Sequence, residues 1–243
     1  MIYNESCEIT IRNHILDDSI NLIVTSPPYN VDMNYDKYDD NMSYKNYLEW
    51  LRCIFTSLYE KMKDDGRICI NIGNTENGSV VNAFDLSTIM QQIGYHNYTT
   101  IVWQKSQVGN RCSWGSFMSP SCPSFPTPFE YIIVFYKQSK KLLHKGQTDL
   151  MKQEFIDWSL ALWQFPGETK DVGHPAPFPL ELPKRCIKMF SYIDDVVYDP
   201  FSGSGTTALE CKILNRRFIA SEKTKSYYDT SIERLNNLCR FDF

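Results

Sequence analysis

The chain lacks any apolar run long enough to span a bilayer, and its N-terminus has no charged-then-apolar leader. Both absences point to a soluble, cytoplasmic protein. Its eight cysteines, at 7, 53, 69, 112, 122, 186, 211 and 239, include no Cys-x-x-Cys pair. That removes the usual zinc and dithiol motifs. Cys112 and Cys122 have no His or further Cys to complete a ligand set, so no metal is expected. Cys69 and Cys211 sit in apolar patterns and read as small core residues. An excess of basic charge is missing too, since the net charge is −4. A nucleic-acid binder of this charge must gather its basic residues locally. There is no internal repeat and no low-complexity segment.

What is present is a chain of 243 residues, 42% hydrophobic and 14% aromatic, enough for one substantial core with a small appended lobe. Strand patterns cover Asn21–Thr25, Arg67–Ile72, Tyr98–Gln104, Glu130–Tyr136, Asp195–Tyr198 and Arg217–Ser221. Helical spacing covers Tyr44 to about Lys63, Phe84–Ile93, Asp149–Trp163, Glu181–Phe190, Ala208–Leu214 and Tyr227–Cys239. Asp64-Asp-Gly66 reads as a turn, and Met1 to Ile9 as a short mixed segment. Strands alternating with helices predict one α/β domain around a mostly parallel sheet, Rossmann-like, with helices on both faces.

Asp199-Pro-Phe-Ser-Gly-Ser-Gly-Thr-Thr207 lies between a strand and a helix. Gly203 and Gly205 let a ligand approach the main chain, and the helix start behind them offers free amides. A phosphate-gripping loop would have Lys where Thr206 stands, and the dinucleotide fingerprint would have a third glycine. Glu222, after the next strand, suits a ribose diol. A ribose acceptor and an anionic Asp199 together ask for a ribose and a cation. S-adenosylmethionine (AdoMet) carries both. A glycine turn without a ligand is the plain alternative.

Ser26-Pro-Pro-Tyr29 ends the first clear strand, where open α/β sheets bind ligands. The prolines stiffen the turn and fix Ser26 and Tyr29. Ser106 to Pro128 is a long Ser/Pro/Gly-rich loop carrying Arg111, Trp114 and Phe117. Lys137, Lys140, Lys141, His144 and Lys145 form a charge run whose plain alternative is a solvated turn.

Ser26-Pro-Pro-Tyr29 followed by Asp199-Pro-Phe-Ser-Gly-Ser-Gly205 resembles the amino-group DNA methyltransferases, in their beta-class order, catalytic motif first. Gly66–Ile72, Ile101-Val-Trp-Gln-Lys105, Ser113–Ser116 and His174-Pro-Ala-Pro-Phe-Pro179 resemble further segments of that family. The resemblance covers nearly all of the chain outside Lys137 to Trp163. It implies a catalytic set of Ser26, Pro27, Pro28 and Tyr29. It implies cofactor contacts from Asp199, Phe201, Gly203, Gly205, Thr206, Glu222, His174 and Pro177, with Glu5 on the adenine side. His174 is a structural hydrogen-bonder near the cofactor, and Trp103 and Trp163 are core residues.

The domain division that follows is a catalytic domain of residues 1–136 and 164–243, with residues 137–163 as a target-recognition insert assisted by loop 106–128. Lys105, Arg111, Lys137, Lys140, Lys141 and Lys145 are the candidate DNA contacts, with solvated surface as the alternative. Ser rather than Asp at the first motif position resembles the cytosine-N4 enzymes, with adenine-N6 methylation the nearest rival. The expected partners are duplex DNA and a cognate restriction endonuclease, the chain acting as monomer or homodimer. Two other readings are methylation of protein glutamine or RNA, and a non-catalytic DNA-binding module that has kept the fold.

Overall fold

The computed structural model describes residues 1–28, 42–73, 83–105, 115–123, 125, 127–168 and 178–238. The elements follow as β1 (Ile2–Tyr3), α1 (Cys7–Asn13), β2 (Ile20–Thr25), α2 (Tyr44–Lys61), β3 (Met62–Gly73), α3 (Ala83–Ile93), β4 (His96–Gln104) and β5 (Phe129–Tyr136). Then come α4 (Lys152–Trp158), β6 (Leu162–Gln164), α5 (Glu181–Phe190), β7 (Val196–Asp199), α6 (Thr206–Ile213), β8 (Arg217–Ser221) and α7 (Lys225–Leu238).

One eight-stranded sheet has the order β1-β8-β7-β2-β3-β5-β4-β6. Every neighbouring pair is parallel except the two made by β5, which runs against β3 and β4. The central strands are apolar on both sides, as strands covered by helices on both faces must be. Along β3, Ile68, Ile70 and Ile72 enter one core with α1, α2 and α3, while Cys69 enters the other with α4, α5 and α6. Along β2, Ile23 belongs to the first core, and Leu22 and Val24 to the second. A third, smaller core joins Ile2, Ala208, Ala220 and Leu235 where α7 packs. The α/β architecture expected from the alternation is the one observed. Trp103, Trp163, Cys69 and Cys211 are core residues, each no more than 2% exposed.

Three local expectations differ. The first is the Asp64-Asp-Gly66 turn, which lies inside β3. Pairing with β2 jumps from Ile20↔Met62 to Leu22↔Arg67, so the extra residues bulge out within the strand. Gly66 is needed there, because a Cβ would lie 2.8 Å from the Lys63 carbonyl oxygen.

The second is the Asp149–Trp163 helix, which splits into α4 and β6. Trp158 and Trp163 are both buried in the second core. Five residues apart on one helix they would point roughly 140° apart. Breaking the helix lets both reach the same core, and the Trp163 indole N–H closes the corner on the Trp158 carbonyl at 2.9 Å. The end of the 137–163 segment thus joins the sheet as β6, its edge strand beside β4.

The third is the N-terminal segment, which supplies β1 and α1. Two residues of strand are too short to show a period, and β1 exists through its pairing with β8, Ile2↔Ala220.

Candidate functional site

The parallel strands β1, β8, β7 and β2 end together, and a cavity of about 620 Å³ opens there. After β7 its wall is Pro200–Ser204 and Thr206, and after β8 it is Ser221–Thr224. Ser26, Pro27 and Pro28 after β2 and Ser6–Ile9 at the start of α1 also line it, with Trp50, Phe178 and Tyr227.

The glycine turn is held from outside. Gly203 and Gly205 have φ of +50° and +78°, angles that L side chains avoid. A Cβ on Gly205 would also lie 2.6 Å from Ser231 Cβ of α7. From the same helix, Arg234 Nη1 donates to the Ser204 carbonyl (2.7 Å), Ser204 Oγ (2.9 Å) and Thr206 Oγ1 (3.2 Å). Ser231 and Arg234 are structural residues of the site that sequence reasoning missed. They lie on α7, and only its packing against α6 brings them here.

Asp199 lies beneath this wall, 1% exposed. Its Oδ1 accepts from Thr25 Oγ1 at 2.7 Å and from the Phe201 amide at 3.1 Å. Its Oδ2 is buried with no hydrogen-bond partner among the described residues. Burial raises its pKa to about 6 against the opposing pull of the Thr25 and Thr207 hydroxyls and the Phe201 amide. Glu222 Oε2 accepts from the Gly203 amide at 2.8 Å and Oε1 from the Thr224 amide at 2.7 Å. Burial raises this carboxyl as well, and the two amides pull it back.

Ser26, Pro27 and Pro28 share the cavity, and the Pro28 carbonyl accepts from the Tyr47 hydroxyl of α2. The structure thus brings Ser26, Pro27, Pro28, Phe201, Gly203, Thr206 and Glu222 to one cavity, with Asp199 and Gly205 directly behind the lining. Tyr29, Arg111, His174 and Pro177 lie outside the described residues.

Glu5 is not in the lining. Its Oε1 accepts from Thr10 Oγ1 at 2.8 Å and lies 3.3 Å from His14 Nε2. Glu8 stands in the wall instead, and its Oε1 accepts from the Trp50 indole N–H at 2.9 Å. Burial pushes the Glu8 pKa up, but hydrogen bonds from its own amide, Trp50, Ser6 and Cys7 hold it below the ordinary value. The placement of α1, invisible in the sequence, decides between the two acids.

The lysines divide between the two ends of the sheet. Lys105 follows β4 at the cavity end and pairs with Glu130. Lys137, Lys140, Lys141 and Lys145 follow β5, and β5 runs the other way. They emerge at the far end, where β2 and β3 begin, away from the cavity. Lys137 Nζ is buried there, donating to the Met62 carbonyl at 2.8 Å and lying 3.2 Å and 3.4 Å from Asp18 and Asp64. Lys140 Nζ sits 4.9 Å from the centre of the Tyr98 ring, and its carbonyl accepts from Arg67 at 3.1 Å. The antiparallel direction of β5 is what the lysine run by itself does not reveal.

The family model for N6/N4 methyltransferases, described as DNA methylase, matches residues 20–233. The chain belongs to this DNA methylase family. Among curated relatives, the type II methyltransferase M.MjaVI of Methanocaldococcus jannaschii is 41% identical over 184 residues, 71% of this chain and 95% of that one. The orphan methyltransferase M.BamHII of Bacillus amyloliquefaciens is 28% identical, covering 93% of this chain and 92% of its own. The fold matches a putative DNA modification methylase of Thermus thermophilus, solved with S-adenosyl-L-methionine. Its TM-score is 0.77 at 24% identity, over 97% of this chain and 93% of that one. It also matches the cytosine-N4-specific PvuII DNA methyltransferase, with a TM-score of 0.71 at 21% identity over 96% and 85%. The DNA methylase thus has the AdoMet-dependent methyltransferase fold. No helix among its described residues is long and apolar enough to cross a membrane.

Proposed function

We propose that this DNA methylase moves a methyl group from AdoMet to an exocyclic amine of a base in duplex DNA, cytosine N4 in the first instance. The observation carrying the proposal is a single cavity that Ser26-Pro-Pro28 shares with the glycine turn and Glu222. The residues fit AdoMet. Glu222 stands in the wall with acceptor capacity left for a ribose diol, since each oxygen takes one amide. Asp199, with an Oδ2 lacking a partner among the described residues, offers a carboxylate to an ammonium. Gly203 lets the ligand close on the main chain.

AdoMet, when bound, supplies an electrophilic methyl on a sulfonium. The protein then has to hold the amine in line with it, an entropic task more than a chemical one. The aromatic amine is conjugated with its ring and is a weak nucleophile. In this reading Ser26 Oγ and the Pro27 carbonyl accept from the amine, help it rehybridise and favour loss of its proton. Pro28 is braced by Tyr47, so the turn carrying those acceptors is held from behind. Tyr29 is the proposed stacking platform for the flipped base, a contact worth about 1–3 kcal/mol. That offsets much of the unstacking cost of roughly a few kcal/mol. Cys7 also lines the cavity, but burial pushes its thiol far up, so it stays protonated and supplies no nucleophile.

DNA is placed by this reading at the cavity end, against Lys105 and the loop before β5, where Phe117 and Met118 are 63% and 90% exposed. One relative is named a type II methyltransferase and another an orphan methyltransferase; the type II name supports a modification role, with a cognate restriction endonuclease as the proposed partner. Adenine-N6 methylation remains the second reading, because a neutral Ser26 hydroxyl accepts from either base's amine.

The test is to incubate the protein with unmethylated duplex DNA and AdoMet, digest to nucleosides and identify the product by mass spectrometry. N4-methylcytosine is expected. N6-methyladenine would keep fold and mechanism but remove Ser26 as a marker of base choice. Absence of both, with calorimetry showing no AdoMet binding, would favour a DNA-binding module that does not catalyse.

A further inference from the structure

Beside Ser26 the sheet carries a line of polar groups that the proposed mechanism does not use. The alternation of side chains places them. Val24 on β2, Cys69 on β3, Ile132 on β5 and Trp103 on β4 all point into the second core. Two residues further toward the cavity end on each strand stand Ser26, Asn71, Glu130 and Lys105, on that same face. The register sets Thr25 against Ile70, and so Ser26 beside Asn71. Glu130 lies opposite Gly73 and Trp103.

These groups are joined. Asn71 Nδ2 donates to Glu130 Oε2 at 2.7 Å, and Lys105 Nζ pairs with Glu130 Oε1. Asn71 is 2% exposed. The bond to Glu130 settles which way its amide is turned: the nitrogen faces Glu130, and the carbonyl oxygen is turned away from it. Lys105 holds the Glu130 carboxylate in place, and the backbone fixes Lys105, whose amide donates to the Pro128 carbonyl at 3.0 Å. A buried acceptor, next to Ser26 in the register, thereby has its orientation set from behind.

We propose that Asn71 is an amine-reading residue, its Oδ1 accepting from the N–H2 group of the target base beside Ser26, and that Glu130 and Lys105 are the positioning pair that turns it outward. An acceptor here selects a base with an amine over one with a carbonyl at the same ring position, since two facing acceptors repel. The inference rests on the proposed methyl transfer to DNA and adds to it a residue that discriminates the substrate.

The test uses the full chain, unmethylated duplex DNA of mixed sequence and radiolabelled AdoMet, read as single-turnover methyl transfer beside AdoMet affinity by calorimetry. Asn71→Ala is expected to slow transfer by about tenfold or more while AdoMet affinity stays within about twofold. The exchange Asn71→Asp with Glu130→Gln conserves charge and reverses the donor and acceptor between the two positions. The glutamine donates to the aspartate and accepts from Lys105, and an acceptor still faces Ser26. That double variant is expected to recover transfer to within about threefold of the parent, which a purely space-filling role for Asn71 does not predict. Asn71→Ala transferring at the parent rate overturns the inference, as does a double variant that binds AdoMet but fails to recover. A parent protein that transfers no methyl to DNA overturns both this inference and the proposed function, and so is distinguishable from either.

Discussion

The two ends of the sheet handle charge in opposite ways. At the far end buried ions are paired with one another, although Arg67 keeps an Nε without a hydrogen-bond partner among the described residues. Lys137 lies between Asp18 and Asp64, and His144 bridges Asp65 and Asp195 at 3.2 Å and 3.0 Å. The fully buried Arg216 takes both oxygens of Asp149 at 2.7 Å and 2.8 Å. At the cavity end Asp199 keeps a buried oxygen without a partner among the described residues. A matched buried ion holds a fold together; an unmatched one costs stability until a ligand completes it.

The comparison is broken most severely by Arg216→Met. It strands Asp149 and should cost about 3–5 kcal/mol of stability, read as a lowered Tm, with AdoMet affinity of the folded protein unchanged. A Tm within a degree of the parent would show the far-end pairs to be ornamental. Next in size is Gly205→Ala, which meets both a positive φ and Ser231. A loss of about 2–3 kcal/mol and failure to bind AdoMet are expected, partly relieved by adding Ser231→Gly. Lack of any relief would mean that contact is not the cause.

Asp199→Asn keeps the bond from Thr25 and removes the charge. AdoMet affinity should fall about 10- to 100-fold in calorimetry with little change in Tm, and unchanged affinity would remove Asp199 from the site. The smallest effect belongs to the lysines. Lys140→Gln with Lys141→Gln should leave DNA affinity and its salt dependence as they are. A weaker salt slope would return the far end to the DNA surface.

Acidity sharpens the same contrast. Asp199 has a folded pKa of about 6, above its ordinary 3.8. Between those values the unliganded folded protein holds a proton that the unfolded chain releases. Its stability therefore falls as pH rises through that window and levels off above it. An ammonium ligand favours the ionised form, so AdoMet affinity should rise as pH climbs through about 6. Glu210 on α6, also raised by burial and to about 7, titrates nearby. The measurement therefore belongs in a Glu210→Gln background. A flat profile there would detach Asp199 from cofactor binding.

Much of this was legible in the sequence, for physical reasons. Arg217–Ser221 and Glu181–Phe190 were read to the residue, because an apolar strand and an amphipathic helix carry their periods in themselves. The glycine turn and the Ser-Pro-Pro turn were legible because their backbone demands leave few other residue choices. What failed depended on direction or distance. The lysine run from Lys137 to Lys145 carries no sign of its position, and only the reversal of β5 shows that it lies at the end away from the cavity. Glu5 and Glu8 differ by three residues, and only the seating of α1 separates them. Asn71 looked like any polar residue in a strand, since Glu130, 59 positions later, gives it its orientation.

The clasp on the glycine turn has a consequence for how the protein is made. Ser231 and Arg234 close a turn that lies more than twenty-five residues upstream, and β1 finds its partner only in β8. A nascent chain on the ribosome therefore carries its Ser-Pro-Pro turn early and its glycine turn unclasped until α7 has emerged. Contacts of such long sequence separation also form late in folding. Competence to bind AdoMet should accordingly arrive in one step once α7 has emerged, and a chain stopped before α7 that reaches DNA would do so without the means to modify it.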